Sequence, residues 1–262
     1  MFNKSSDKLD INIISKNITY CNDFCVNCLQ RVDSTNNYAK ASKTDKELLI
    51  VAAQVQTMGR GRLGRSFFSP ESGIYFSLLV KIPALYQSVP FITTGAAVAV
   101  CRVLREISGK DARIKWVNDI YLDNKKICGI LSEIADENHA VVGVGINFYN
   151  SDFPLELKGI ADSLFDKESP VSKNMVIGKI ADEFMKILHN LPHVSFLNDY
   201  KKLSMVIGED IIYTKNGESF EGKAIDIDSF GGLIVLTEGE KVTLNTGEIT
   251  LRLKSQNQAD QT

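Results

Sequence analysis

Between residues 48 and 66 the chain passes from a segment that demands burial to one that has almost nothing to bury. Leu48-Leu49-Ile50-Val51-Ala52-Ala53 is a continuous apolar run of strand length, which reads as a strand covered on both faces. Gln54-Val55-Gln56-Thr57 leads from it into Gly59-Arg60-Gly61-Arg62-Leu63-Gly64-Arg65-Ser66, where three glycines and three arginines share eight residues. Such a chain has to build layers around a sheet and hang a cationic loop from a strand end, the place where α/β sheets put their ligands. Glycine lets backbone N–H groups approach a ligand, and arginine offers a planar fork of donors, so the loop suits phosphate or carboxylate. Read alone, it is equally a solvated basic loop of the kind found in RNA-binding tails. The elements around it have to decide.

Those elements alternate. Val32 to Lys40 reads as a helix start with Ser34 or Thr35 as cap, and a plain N-cap is not separable here from hydroxyls turned toward a ligand. After the loop, Phe67 to Gly73 is a turn, Ile74 to Val80 an apolar strand, and Pro83 its end. Ile92, Ala96, Val100, Val103, Leu104 and Ile107 have helical spacing, with Gly109 as a C-cap signal. Arg113 to Leu122 alternates as a strand interrupted at Asn118-Asp119, Asp123-Asn124-Lys125 is a hairpin turn, and Lys126 to Glu133 returns as the partner strand. Ala140 to Asn147 is a further strand carrying Gly143 and Gly145. Helical spacing resumes from Val171 to Leu188, Pro192 breaks it, and a short helix follows from Phe196 to Leu203. From Gly208 the texture changes to short strands with Gly, Asp and Asn turns, a small antiparallel barrel of SH3-like size.

The expected organisation is an N-terminal extension over 1–30, a ligand-binding catalytic domain over 31–204, the barrel over 205–254 and a disordered tail over 255–262. Within the extension, the alternation in Ile11-Asn12-Ile13-Ile14 predicts a short edge element. A winged helix-turn-helix needs several helical segments that this stretch lacks, so sequence-specific nucleic-acid binding is not expected. With 30 basic and 32 acidic residues the formal net charge is −2, and no global basic field attracts a polyanion. No apolar run reaches spanning length, and no signal-peptide pattern opens the chain, so a cytoplasmic protein without membrane contact is expected. The five cysteines, at 21, 25, 28, 101 and 128, have no disulfide-framework spacing. The cluster Cys21, Cys25 and Cys28 lacks a nearby fourth ligand and reads as free thiols, with no metal site assigned to protein residues.

Five motifs in order resemble the biotin protein ligases: Ser34-Thr35-Asn36, Gly59 to Arg65, Lys115-Trp116-Val117-Asn118-Asp119, Lys126-Ile127-Cys128-Gly129-Ile130-Leu131, and Gly143-Val144-Gly145-Ile146-Asn147. Gly247-Glu248-Ile249-Thr250-Leu251-Arg252 is similar to the last barrel strand of that family. Val117 stands where the family usually has proline. The resemblance implies an α+β fold, a mixed-sheet class II synthetase-like catalytic domain with a small C-terminal SH3-like β-barrel. It implies a ligase that lacks an N-terminal DNA-binding domain and joins biotin to ATP as biotinyl-5′-AMP with Mg²⁺. The biotinyl group then passes to a lysine of a biotin carboxyl carrier domain. Separately, exposed strand edges around such a site are compatible with a ligand-linked homodimer. A lipoate or octanoate ligase and a non-catalytic biotin- or nucleotide-binding module are the alternatives.

By the same resemblance the catalytic residues are Lys126, Arg62 and Asp119. Biotin falls to Ser34, Thr35, Asn36, Gln56, Gly59, Arg60, Gly61, Arg62, Lys126 and Gly129. The nucleotide falls to Arg60, Arg62, Arg65, Phe67, Trp116, Asn118, Lys126, Gly145 and Asn147. In this reading Gly129 and Gly145 leave room for ligand, Asn147 meets the adenine edge, and Phe67 and Trp116 are flat walls.

Overall fold

The structure is a computed structural model that describes residues 7–83, 88–149, 152–166, 168–191, 195–215, 217–245 and, as backbone, 251–253. Its main layer is a seven-stranded mixed sheet in the order β1-β2-β3-β7-β6-β5-β4. The strands are β1 (Phe24–Val32), β2 (Leu48–Gln56), β3 (Ile74–Lys81), β4 (Arg113–Lys115), β5 (Asp119–Leu122), β6 (Lys125–Ile134) and β7 (His139–Ile146). Only β1 and β2 run parallel; the other neighbours are antiparallel.

Because successive side chains in a strand point to opposite faces, each central strand serves two purposes. Ile50, Phe76, Leu78, Val142, Val144 and Ile130 join the main core. Over that face lie α1 (Ile11–Lys16), α3 (Val89–Ser108), α4 (Lys173–His189) and α5 (Phe196–Leu203). The opposite face carries Leu49, Val51, Leu79 and Val141, which pack with Ala39 of α2 (Thr35–Ala41). Beyond α2 that face carries glycines instead of apolar side chains, and there the sheet opens into a cleft. The long helices match their sequence spacing. Gly109 closes α3 in the left-handed conformation, and the Ser172 hydroxyl caps α4 by accepting from the Met175 N–H.

Two expectations change in the first thirty residues. Ile11 to Ile14 form a helix because Asp10 accepts hydrogen bonds from the Asn12 and Ile13 N–H groups at 2.8 and 3.2 Å. The edge element is β1 instead, which crosses the boundary expected at residue 30 and belongs to the seven-stranded sheet. Its Cys25 and Cys28, three positions apart, point to opposite faces. Burial pushes the Cys28 thiol up to about 11, and the described cysteines are all free.

The second layer is a five-stranded antiparallel sheet in the order β11-β10-β9-β8-β12. It comprises β8 (Asp210–Lys215), β9 (Glu218–Ile227), β10 (Leu233–Thr237), β11 (Glu240–Leu244) and β12 (Leu251–Leu253). Pro192, residues 247–250 of the expected last strand and the tail from Lys254 lie outside the described residues. Tyr213, Ala224, Leu233, Val235 and Leu244 continue the core of the larger domain.

The seam between the two sheets reaches the cleft. Trp116, 5% exposed, donates its indole N–H to the Gly231 carbonyl at 2.9 Å. Gly231 has φ 86°, and a Cβ there would lie 3.0 Å from the Pro90 backbone, so conformation and space both require glycine. The Trp116–Val117 peptide bond is cis. Trp116→Phe keeps an aromatic wall but strands the buried Gly231 carbonyl, and is expected to cost about 1–3 kcal/mol in urea unfolding at unchanged m-value.

Candidate active site

The floor of the cleft is one row of the sheet. Ala53 pairs with Tyr75, Tyr75 with Gly145, Gly145 with Gly129, and Gly129 with Asp119. Two adjacent glycines in such a row leave the backbone bare over the width of two strands. The space above them holds the Phe67 ring: a Cβ on Gly145 would meet it at 2.6 Å and one on Gly129 at 3.2 Å. The room expected for a ligand directly on these glycines is therefore occupied by the chain itself.

Lys126 arrives on this face through a β-bulge. In strict alternation it would share the core face with Cys128, which is buried and paired with Ile120. The register shifts there, and Lys126 pairs with Tyr121 on the cleft side. Its ammonium lies 2.8 Å from Asp119 Oδ1, with the two side chains 28% and 23% exposed. The backbone of Lys126 is held on both sides, its N–H donating to the Ile160 carbonyl at 2.9 Å and its carbonyl accepting from the Asp162 N–H at 3.0 Å.

The Gly/Arg segment arches over the cleft as a tight loop. The Gly61 N–H donates to the Arg65 carbonyl at 2.7 Å and the Phe67 N–H to the Gly59 carbonyl at 2.8 Å, which ties the two limbs together. Leu63 and Gly64 form the tip with φ of 54° and 75°. Arg62 turns inward and donates through Nη1 to Asn118 Oδ1 at 3.0 Å, while its Nη2 is buried without a hydrogen-bond partner among the described residues. Burial pushes the guanidinium below its ordinary value and Asp119 opposes the shift. Arginine stays protonated nonetheless, so the site holds a fixed positive charge with a spare donor.

At the other wall, Ser34 occupies the N-cap position of α2 but makes no side-chain capping bond, so its hydroxyl is not spent on the helix. Thr35 donates through its N–H and hydroxyl to Gln56 Oε1 at 2.9 and 3.1 Å, and Gln56 Nε2 donates to Ser69 at 3.3 Å. Asn36 is fully committed. It accepts from Ser77 at 2.6 Å and donates to the Leu131 carbonyl at 3.2 Å and to Glu133 at 2.8 Å.

The cleft, about 330 Å³, brings together Ser34, Thr35, Asn36, Gln56, Arg60, Gly61, Arg62, Arg65, Phe67, Trp116, Asn118, Asp119, Lys126, Gly129 and Gly145. It leaves out Gly59 and Asn147. A Cβ on Gly59 would lie 2.6 Å from the Phe67 carbonyl, so this residue serves the close packing of the loop base. Asn147, 7% exposed, turns its amide toward the Lys126 and Asp162 carbonyls at 3.3 and 3.1 Å. The sequence reading missed Lys115, whose ammonium sits 5.0 Å above the Tyr121 ring, and Leu157 and Ile160 on the loop bound to Lys126. Their signal was available only for Lys115, which heads a motif already noted.

A cleft whose glycine floor is covered by the Phe67 ring, edged by Trp116 and entered by two cations suits an anionic ligand that carries a planar or ring-shaped apolar part. Known proteins give that class its family. The profile of the biotin/lipoate A/B protein ligase family matches residues 28–147, and that of the biotin protein ligase C terminal domain matches 206–252. The bifunctional ligase/repressor BirA of Bacillus subtilis is 35% identical over 216 residues, 77% of this chain and 66% of that protein. The chain thus spans about two thirds of that relative's length. The biotin–[acetyl-CoA-carboxylase] ligase of Mycobacterium tuberculosis is 28% identical over 218 residues, 80% of this chain and 81% of that one. The structure of biotin protein ligase from Aquifex aeolicus in complex with biotin and ATP superposes with a TM-score of 0.76 at 28% identity, covering 87% of this chain and 99% of that one. This chain belongs to the biotin/lipoate A/B protein ligase family and carries the C-terminal domain of its biotin ligases.

Proposed function

We propose that the cleft condenses biotin with ATP to biotinyl-5′-adenylate and then passes the biotinyl group to a lysine of a biotin carboxyl carrier domain. The observation that carries this reading is the buried Arg62 guanidinium with an unpartnered Nη2, on the same side of the sheet as Lys126 and the glycine floor. Adenylation brings a carboxylate oxygen onto the α-phosphorus while pyrophosphate leaves, so two anions must meet at one place. Lys126 and Arg62 offset that repulsion, and a low-dielectric cleft strengthens them. Phe67 and Trp116 offer flat surfaces to the nucleotide. Ser34 offers an unspent hydroxyl to a ureido ring, and Thr35 and Gln56, bonded to each other, hold the wall beside it.

In the second half-reaction the acceptor amine, protonated at neutral pH with an ordinary value of about 10.4, has to lose a proton before it attacks the mixed anhydride. Asp119, 2.8 Å from Lys126 Nζ, is the carboxylate placed to orient that amine or take its proton. Magnesium belongs to this scheme as the counter-ion of the triphosphate.

Incubating the protein with Mg-ATP, a carrier domain and either biotin, lipoate or octanoate, then weighing the carrier, tests the proposal. A gain of one biotinyl group from biotin alone is the expected result. Transfer of only lipoyl or octanoyl groups would move the protein to the other branch of its family, and tight binding without pyrophosphate release would make it a binding module.

A further inference from the structure

We infer that Glu133 is a positioning residue that latches the Gly/Arg loop over the cleft by capturing Arg60, the first arginine of that loop. The motif reading gave Arg60 to the ligand. In the structure its Nη2 instead lies 2.7 Å from Asn37 Oδ1 on α2 and 3.3 Å from Glu133 Oε2 on β6. Glu133 sits on the cleft side of β6, two residue pairs along from Gly129, where it also accepts from Lys40 Nζ at 2.7 Å and Asn36 Nδ2 at 2.8 Å. One carboxylate thereby joins the loop, the helix and the sheet.

The arrangement has a consistent electrostatic logic. Without Glu133, Arg60 and Lys40 would stand near each other as like charges with Asn37 as the remaining partner of Arg60. Burial pushes the Glu133 carboxyl up, but the hydrogen bonds from Lys40 and Asn36 and the charges of Lys40 and Arg60 outweigh it and hold the group below the ordinary glutamate range. A depressed value means that the latch is fully charged at neutral pH and is lost only as pH falls through that lowered value. The limb that Arg60 fixes leads directly into Arg62 and the left-handed tip at Leu63, a conformation that bulky side chains disfavour. A loop with such a tip holds its shape only while its limbs are held.

The latch does not depend on what the cleft binds, so it can be tested apart from the ligase reading. Arg62 and Arg65 are trypsin sites on a tight loop whose limbs are tied by the Gly61–Arg65 and Phe67–Gly59 hydrogen bonds, and since a protease needs the segment extended, the rate of nicking reports how often the limbs separate. Glu133→Gln, which keeps the shape and one acceptor oxygen but removes the charge and turns the other oxygen into a donor, is expected to raise nicking after Arg62 and Arg65 about tenfold with little change in melting temperature. Asn37→Ala, at the other partner of Arg60, should act in the same direction. In an Arg60→Gln background, Glu133→Gln should add nothing, because its route to the loop is gone. Unchanged nicking in both single variants, or a full additive effect in the double variant, would overturn the assignment.

Discussion

Lys126→Ala is expected to lower biotin-dependent ATP/pyrophosphate exchange by about a hundred- to a thousandfold, the range found when a preorganised charge-stabilising group is removed. The ammonium lies 2.8 Å from Asp119 Oδ1 and 3.1 Å from the point where a Cβ on Gly129 would stand. It is therefore at the floor of the cleft and not at its rim. Truncation also leaves the Asp119 carboxylate without its counter-charge, so the place where two anions must meet gains a third. Unfolding is not expected to account for the loss, since a partly exposed ion pair of this kind contributes about 0–1 kcal/mol to stability. Lys126→Arg keeps the charge on a bulkier, planar head and should recover part of the rate. Exchange at nearly the unsubstituted rate in Lys126→Ala would remove this residue from the reaction.

Arg62→Ala is expected to change a different quantity. Its guanidinium enters the cleft from the loop, is aimed by Asn118, and Asn118 is itself fixed by donating to the Ile130 carbonyl at 2.9 Å. The side chain thus carries the loop's fixed charge into the cleft, where the proposed adenylate forms. A charge-assisted hydrogen bond contributes about 1.5–3 kcal/mol, so its loss should speed release of the adenylate about ten- to a hundredfold. Formation of the adenylate, carried mainly by Lys126, should fall less steeply. Stopped-flow release of the intermediate separates the two effects, and retention equal to that of the unsubstituted protein would contradict the assignment.

Sequence made the repetitive parts legible for a physical reason. The apolar run at Leu48 to Ala53, the helical stripe from Ile92 to Ile107 and the turn-punctuated strands after Gly208 each repeat one constraint many times, and repetition averages out local exceptions. What escaped was set by single contacts across long sequence distances. The bulge that turns Lys126 into the cleft is invisible in an alternating pattern that reads equally well in either register. The placement of Phe67 on Gly129 and Gly145 joins positions more than sixty residues apart. The ion pair of Arg60 with Glu133 was equally hidden, because residue type carries no sign of whether a carboxylate waits nearby. At Ile11 to Ile14 the alternation misled because one side chain, Asp10, caps a helix there. Asn147 was placed at the right strand end, yet its amide faces the Lys126 and Asp162 carbonyls, an orientation that β6 and the loop from Leu155 to Asp162 set together.

The two-faced sheet has a consequence for how such a chain can change over time. Along Gly129 to Glu133 and Val141 to Gly145, alternate letters answer to different demands, one set to packing under α3 and α4 and the other to seating α2 and lining the cleft. Substitutions can drift in either set while the other stays put, so ligand preference and thermal tolerance are separately adjustable within the same short segments. Gains or losses of one residue allow no such independence, because they exchange the two sets at once.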